Sequence, residues 1–184
     1  FEPALDYVAV KVPRWDLQKF HHVSDAVTSE MKSVGEVMAL GRTFEEALQK
    51  ALRSLESSKA GLGLDAKDRW PELKNASRKH LEELIGRPHP DRILALRYAL
   101  KAGITVDECA KRSGVAPWFL ENMAELVRFE DRLAEAGSLA KAPKELILEA
   151  KRLGYSDAQL AHAWNAKEME VRARRKALGV TPVY

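Results

Sequence analysis

The chain has 184 residues, 46% of them apolar and 31% charged, with a formal net charge of +3. That balance excludes a disordered chain, and no apolar run approaches the 18 residues of a membrane span. Cys109 is the single cysteine, which excludes an internal disulfide framework and suits a reducing, cytoplasmic compartment.

In chain order, residues 7–12 (YVAVKV) read as a short strand stopped by Pro13, because proline removes a ladder donor. The opening FEPALDYVAVKVP has no initiating Met and no signal-peptide features, which suggests a cut from inside something longer. Residues 33–40 (SVGEVMAL) form a second apolar run ended by Gly41. Thr43-Phe44-Glu45-Glu46 is a capping box opening a helix over about 44–56, with Phe44, Ala47, Leu48, Ala51, Leu52 and Leu55 on one stripe. Periodicity is lost after Glu56 in SSKAGLGLD, and the expected domain boundary lies there.

The rest reads as helical. Pro71 starts a helix continuing to Ile85, on whose apolar stripe His80 is expected as a hydrogen-bonded core residue. Pro90 or Asp91 starts the next helix, 91–102, with Ile93, Leu94, Arg97 and Leu100 along it. Thr105-Val106-Asp107-Glu108 caps 106–112, which ends at Gly114, and Pro117 opens a long helix to about 135. Helices over 143–153 and 157–164 follow, and Asn165-Ala166-Lys167-Glu168 is expected to cap the last, reaching about Leu178. An echo at an offset of 51 aligns Gly103, Thr105 and Glu108 with Gly154, Ser156 and Gln159. One supersecondary unit is used twice, too few copies for a solenoid, so the expected fold is mainly α, a compact helical bundle.

No constellation in these residues carries catalysis. Of the five histidines, His21 and His22 are adjacent and point apart if extended, and His80, His89 and His162 lack partners at metal-ligand spacing. Cys109 falls on the inward side of its helix, as a small buried hydrophobe rather than a nucleophile. Gly61-Leu62-Gly63 lacks the Lys-Ser/Thr of a phosphate loop. Residues 165–184 carry Lys167, Arg172, Arg174, Arg175 and Lys176 against Glu168 and Glu170, an excess that equals the whole-chain charge. Such a patch is compatible with nucleic acid, but a charged last helix with a solvated face is the commoner reading. TVDECAKRSGVAPWFLENM resembles a helix-turn-helix, but its second helix opens with Pro117, Trp118, Phe119 and Glu121, which offer few base-reading donors. A packing hairpin is favoured, with a helix-turn-helix nucleic-acid or adaptor module as the alternative. Trp118 and Phe119 read as core or interface anchors.

MKSVGEVMALGRTFEEALQKALRSLE at 31–56 and FEPALDYVAVKVPRWDLQKF at 1–20 closely resemble the large chains of the carbamoyl phosphate synthetase family. The resemblance continues at Trp118-Phe119-Leu120, at VRFE (127–130), at GYSDAQLA (154–161) and at VRARRKALGVTPVY (171–184), and is loose only over 57–90. It implies that residues 1–56 are the C-terminal tail of an ATP-grasp carboxyphosphate synthetase domain, a short α/β piece, and 57–184 an all-helical oligomerisation domain. Family enzymes make carbamoyl phosphate from bicarbonate, glutamine-derived ammonia and two ATP with Mg²⁺ (or Mn²⁺), in pyrimidine and arginine biosynthesis. A separate glutaminase small subunit supplies the ammonia.

The family's Glu-x-Asn-x-Arg signature would lie before Phe1, so the resemblance implies no catalytic, cofactor-binding or metal residue here. Met31 and Glu36 match positions lining an internal carbamate passage, Glu36 as a buried carboxylate, with Lys32 and Arg42 flanking it to pair with phosphate or acid groups. Ala26 stands where the family has Arg, and Ser29-Glu30 replaces Thr-Gln, two departures at positions whose family side chains face a neighbouring module. The implied partners are the remainder of the large chain, the glutaminase subunit and further large chains, with neither nucleic acid nor membrane. The candidate interface comprises Trp118, Phe119, Leu126, Val127 and Leu133, because the stripe of the long helix runs further than two short helices require; the alternative is that residues 71–85 cover the same stripe.

Overall fold

A computed structural model describes residues 6–15, 17, 24 and 26–182. His21, His22, the FEP opening and the terminal Val183-Tyr184 lie outside the described residues. The described chain is mainly α, as expected, with nine helices and one two-stranded sheet among the described residues.

The sheet pairs β1 (Val8–Arg14) with β2 (Gly35–Gly41). β1 continues through Pro13 rather than stopping before it. In a two-stranded sheet each strand has an open edge, where a missing N–H costs no ladder bond. Helix α1 (Phe44–Ser54) starts at Thr43, whose side chain accepts from the Glu46 amide. The Glu46 carboxylate returns one residue further than in a regular capping box, accepting from Arg42 N at 2.8 Å.

The expected helix over 71–85 is two elements, α2 (Trp70–Leu73) and α3 (Arg78–Gly86). Ser77 divides them, its side chain accepting from His80 N and so starting a new helix. That resets the phase of the stripe. Leu81 and Ile85 are buried, whereas His80 is exposed and not the core residue expected.

Four further helices carry the echo at offset 51: α4 (Arg92–Lys101), α5 (Val106–Ser113), α7 (Lys144–Arg152) and α8 (Asp157–Ala163). Between α5 and α7 runs α6 (Pro117–Glu135), and α9 (Glu168–Ala177) closes the chain. α4 and α7 end identically. Ile104 N donates to Ala99 O and Gly103 N to Leu100 O; Tyr155 N donates to Ala150 O and Gly154 N to Lys151 O. This is the Schellman ending, and both glycines take a φ of +85° that a side chain would oppose.

α8 ends the same way, with Ala166 N donating to Ala161 O and Asn165 N to His162 O. Asn165, at φ +48°, is therefore the left-handed residue after α8 and not the cap of α9. Lys167 holds the cap position of α9, its amide donating to Glu170 Oε2 at 2.9 Å. Asn-x-x-Glu matches a capping box, but Asn also tolerates left-handed backbone, and here the second property is used.

Residues divide into two compact units, each with its own core. One comprises 1–11, 38–67 and 128–184, the other 12–37 and 68–127. In the first, Ala47, Leu48, Ile147, Ala150, Leu160 and Val171 are buried together with Leu62 of the 57–66 segment. That segment is hydrogen-bonded within the unit. Leu62 N donates to Gln49 Oε1 at 2.8 Å and Ala60 N to Asp65 Oδ2 at 2.7 Å. In the second unit the core holds Leu81, Ile85, Ala99, Ile104, Cys109 and Leu120.

Candidate interface

The N-terminal turn of α6 presents two large aromatics. Trp118 is 53% and Phe119 43% exposed, with ring centroids 5.0 Å apart and planes at 82°. Pro117 opens the helix, Asn122 Nδ2 donates back to Trp118 O at 2.6 Å, and the next residue, Leu120, is fully buried. The pair is thus held on a rigid helix end. Edge-to-face aromatics on such a support present large contact area at little entropic cost, as interface anchors do.

The rest of the expected interface is corrected. Leu126, Val127 and Leu133 are buried within the chain itself, Leu133 completely. Leu126 and Val127 belong to one compact unit and Leu133 to the other. Periodicity identifies a buried face without naming its cover.

The residues matched to a carbamate passage are open in this chain. Met31 is 94% exposed, and Glu36 is exposed at the start of β2 rather than buried. Lys32 is committed locally, its Nζ donating to Ala26 O at 3.1 Å and facing Glu30 at 3.4 Å. Arg42 is exposed and its amide is taken by Glu46.

Three buried polar groupings organise the units. Arg97, fully buried, forms a two-point pair with Asp68, at 3.0 Å from Nη1 and 2.9 Å from Nη2. Trp70 N also donates to Asp68 at 2.9 Å. In the other unit Gln49 and Gln159 are fully buried. Gln159 Nε2 donates to Gly63 O at 2.7 Å and to Gln49 Oε1 at 3.2 Å. The third grouping is Asp157, which accepts from Arg175 Nε at 2.8 and 3.0 Å and from Lys151 Nζ at 3.0 Å. Burial raises its carboxyl, but the bonds from Arg175 and Lys151 outweigh this and hold it below the ordinary carboxylate range. Arg97 is legible as a helix-stripe residue. Its partner, 29 positions away, is not, and neither are the Gln49–Gln159 and Asp157–Arg175 pairings.

Cys109 is fully buried, as its helix position implies, and burial, with the nearby Glu108 charge, pushes its thiol up to about 11. It is no nucleophile at neutral pH. Among the described residues no three His, Cys, Asp or Glu side chains come together as they would around a metal ion. No described helix is long and apolar enough to cross a membrane.

Comparison with known proteins bears on these features directly. The family described as carbamoyl-phosphate synthetase large chain, oligomerisation domain, matches residues 36–179. The match begins inside the segment that the expected 56/57 boundary assigns to a catalytic module. A carbamoyl phosphate synthase large chain of Archaeoglobus fulgidus is 47% identical across the whole chain, which covers 17% of that relative. One from Nostoc is 46% identical, with 16% of the relative covered. The N-terminal section of the large chain of Methanopyrus kandleri is 44% identical, with 34% covered. The chain thus spans a minor part of the length of the relatives it matches, and nothing in the comparisons supports the helix-turn-helix alternative. By these matches, the chain belongs to the family of the carbamoyl-phosphate synthetase large chain, within its oligomerisation domain.

Proposed function

We propose that this chain is a segment of a carbamoyl phosphate synthase large chain, an ATP-dependent ligase, and that its own work is structural: it joins parts of that chain and presents a surface for assembly. The observation that carries this reading is the whole-chain identity of 47% to the Archaeoglobus large chain, with the oligomerisation domain matched over 36–179. ATP, Mg²⁺, bicarbonate and ammonia are handled by parts of the parent outside this segment, and a glutaminase small subunit and the cytoplasm complete its setting. The assembly contact is made by Trp118 and Phe119, whose exposure on a rigid helix end suits a second large chain. A carbamate passage at Met31 and Glu36 needs walls supplied from outside the segment, because both are open here. The likeness to an arginine-specific relative from Arabidopsis, 45% identical, supports arginine biosynthesis as a route for the parent.

The test is a chimera in which this chain replaces the matching segment of the Archaeoglobus large chain. It should form carbamoyl phosphate from glutamine and should sediment as an assembly. Trp118→Ser with Phe119→Ser should shift sedimentation toward the single large chain while activity persists. A chimera that folds but makes no carbamoyl phosphate overturns the parent assignment. An aromatic double variant that sediments unchanged overturns the assembly contact. The chain by itself should give no calorimetric heat with MgATP, and a stoichiometric signal would contradict its structural role.

A further inference from the structure

The unit formed by 38–67 and 128–182 contains the point where the chain passes from β2 into α1 and the point where it leaves α9. Both are fastened. At the entry, a Cβ on Gly41 would lie 2.8 Å from Ala47 N, so the strand turns directly into the helix. Glu46 accepts from Arg42 N, while Lys50 Nζ donates to Leu40 O at 3.1 Å and pairs with Glu46 at 2.6 Å. The first turns of α1 thus hold the last residues of the strand on both sides of Gly41.

At the exit, Gly179 takes a φ of +73°, and Val180 N donates to Arg175 O at 2.8 Å. Arg175 Nη1 donates in turn to Val180 O at 3.2 Å, and Val180 is buried. The same guanidinium is clamped to Asp157 through Nε, and Lys151 holds Asp157 from α7 while also donating to Tyr155 O at 2.7 Å. A chain leaving a helix through an exposed Gly/Ser linker would have none of these restraints.

The two fastenings are connected. A Cβ on Gly154 would meet Glu46 Cα at 2.8 Å, so α1 rests directly on the turn between α7 and α8. Arg53 Nη1 donates to Gly154 O at 3.3 Å, Gln159 bonds Gln49, and Ser156 Oγ donates to Ala60 O at 3.2 Å. Each of these bonds lies within the one unit.

We propose that this unit is a rigid coupler: the path from Leu40 through Lys50, Glu46, Gly154, Asp157 and Arg175 to Val180 fixes the direction in which the chain leaves α9 relative to the strand that enters α1. A displacement imposed at β2 is then delivered to whatever follows Val180 instead of being absorbed. What is coupled rests on the reading of this chain as a segment of a larger one, whereas the rigidity belongs to the chain itself.

The experiment measures a distance distribution by electron-spin resonance between labels at Met38→Cys and Thr181→Cys in the 184-residue chain, with Cys109 protected by its burial. One narrow peak is expected, and a broad distribution overturns the proposal. Asp157→Asn and Lys50→Met should each cost the single narrow peak at unchanged helical circular dichroism, whereas Arg132→Ala, which breaks a surface pair with Glu149 off the path, should preserve it. Peaks that stay narrow in both path variants, or an Arg132→Ala peak that broadens equally, overturn the path. Should Asp157→Asn lose helix, Lys50→Met at the helix surface decides alone. A narrow peak alongside a chimera that makes no carbamoyl phosphate would count against the parent assignment and not against the coupler.

Discussion

The two copies of the repeated unit share a backbone and differ in almost everything that backbone is used for. Residues 98–114 and 149–165 repeat the Schellman ending, the Ser/Thr cap with an acid or amide at its third position, and a left-handed residue after the short helix, Gly114 in one and Asn165 in the other. Yet Glu108 is half-exposed and paired with Arg78, whereas Gln159, its counterpart, is buried and bonded to Gly63 and Gln49. Open space surrounds a Cβ placed on Gly103, while Gly154 is pressed against α1. Arg97, buried against Asp68 in the first copy, corresponds to Leu148, and Val106 corresponds to Asp157. Local chemistry sets the shape of the unit, and neighbours decide which of its positions bear load.

The largest effect should come from the first copy's buried pair. Asp68→Ala leaves a fully buried guanidinium without its carboxylate and should cost roughly 3–5 kcal/mol in urea unfolding. Leu148→Ala at the corresponding site in the second copy should cost visibly less, and equal losses would show that the copies are loaded alike.

Next come the two glycines. Gly103→Ala meets only the left-handed backbone and should cost about 1–2 kcal/mol. Gly154→Ala adds a collision with Glu46 Cα and should cost roughly 1–3 kcal/mol more. Matching unfolding midpoints for the two variants would remove the close approach of α1 as a constraint.

The caps give a smaller difference. Thr105→Ala should cost about 1 kcal/mol. Ser156→Ala removes the same cap together with the bond to Ala60 O, and should exceed it by about 1 kcal/mol. A smaller loss at Ser156 than at Thr105 would show that the tie to the 57–66 segment does not contribute.

The slightest effect is in pH dependence, and it separates the copies because Val106 has no counterpart charge. Asp157 titrates below the ordinary carboxylate range in the folded chain, so its stabilisation is complete at neutral pH and is lost as pH falls through that lowered value. Thermal melts of Asp157→Asn should therefore fall less steeply on acidification than those of the wild type. Identical slopes would mean that the Asp157–Arg175 bond does not stabilise the fold.

Much of the architecture is legible from residues alone because its causes are local. Thr43, Thr105 and Ser156 as caps, Gly103, Gly114 and Gly154 as endings, and the offset of 51 all follow from bonds spanning at most five residues. Asn165 is ambiguous at that range, since asparagine serves both as a cap and in left-handed backbone, and its alignment with Gly114 is what points to the second use. Sequence periodicity misses the break at Ser77, because the apolar spacing of Leu73, Ala76, His80 and Leu81 runs across it and favours one long helix. His80 is then placed inside, where the structure has Leu81 and Ile85. Trp118 and Phe119 are recognisable as aromatics seeking a surface, while the stripe of Leu126, Val127 and Leu133 looks the same to periodicity and is closed by the chain itself.

By itself the sequence determined the helix endings, the repeat, the mainly helical class and the family resemblance, since each is written in residues close along the chain or in whole-length identity. Only the tertiary structure decided that Arg97 meets Asp68, that Gln49 meets Gln159 across 110 residues, and that Arg175 locks Val180 while holding Asp157. Those pairings depend on which helix faces are brought together. A buried polar side chain states its need for a partner in its chemistry, but the identity of that partner is set by the fold.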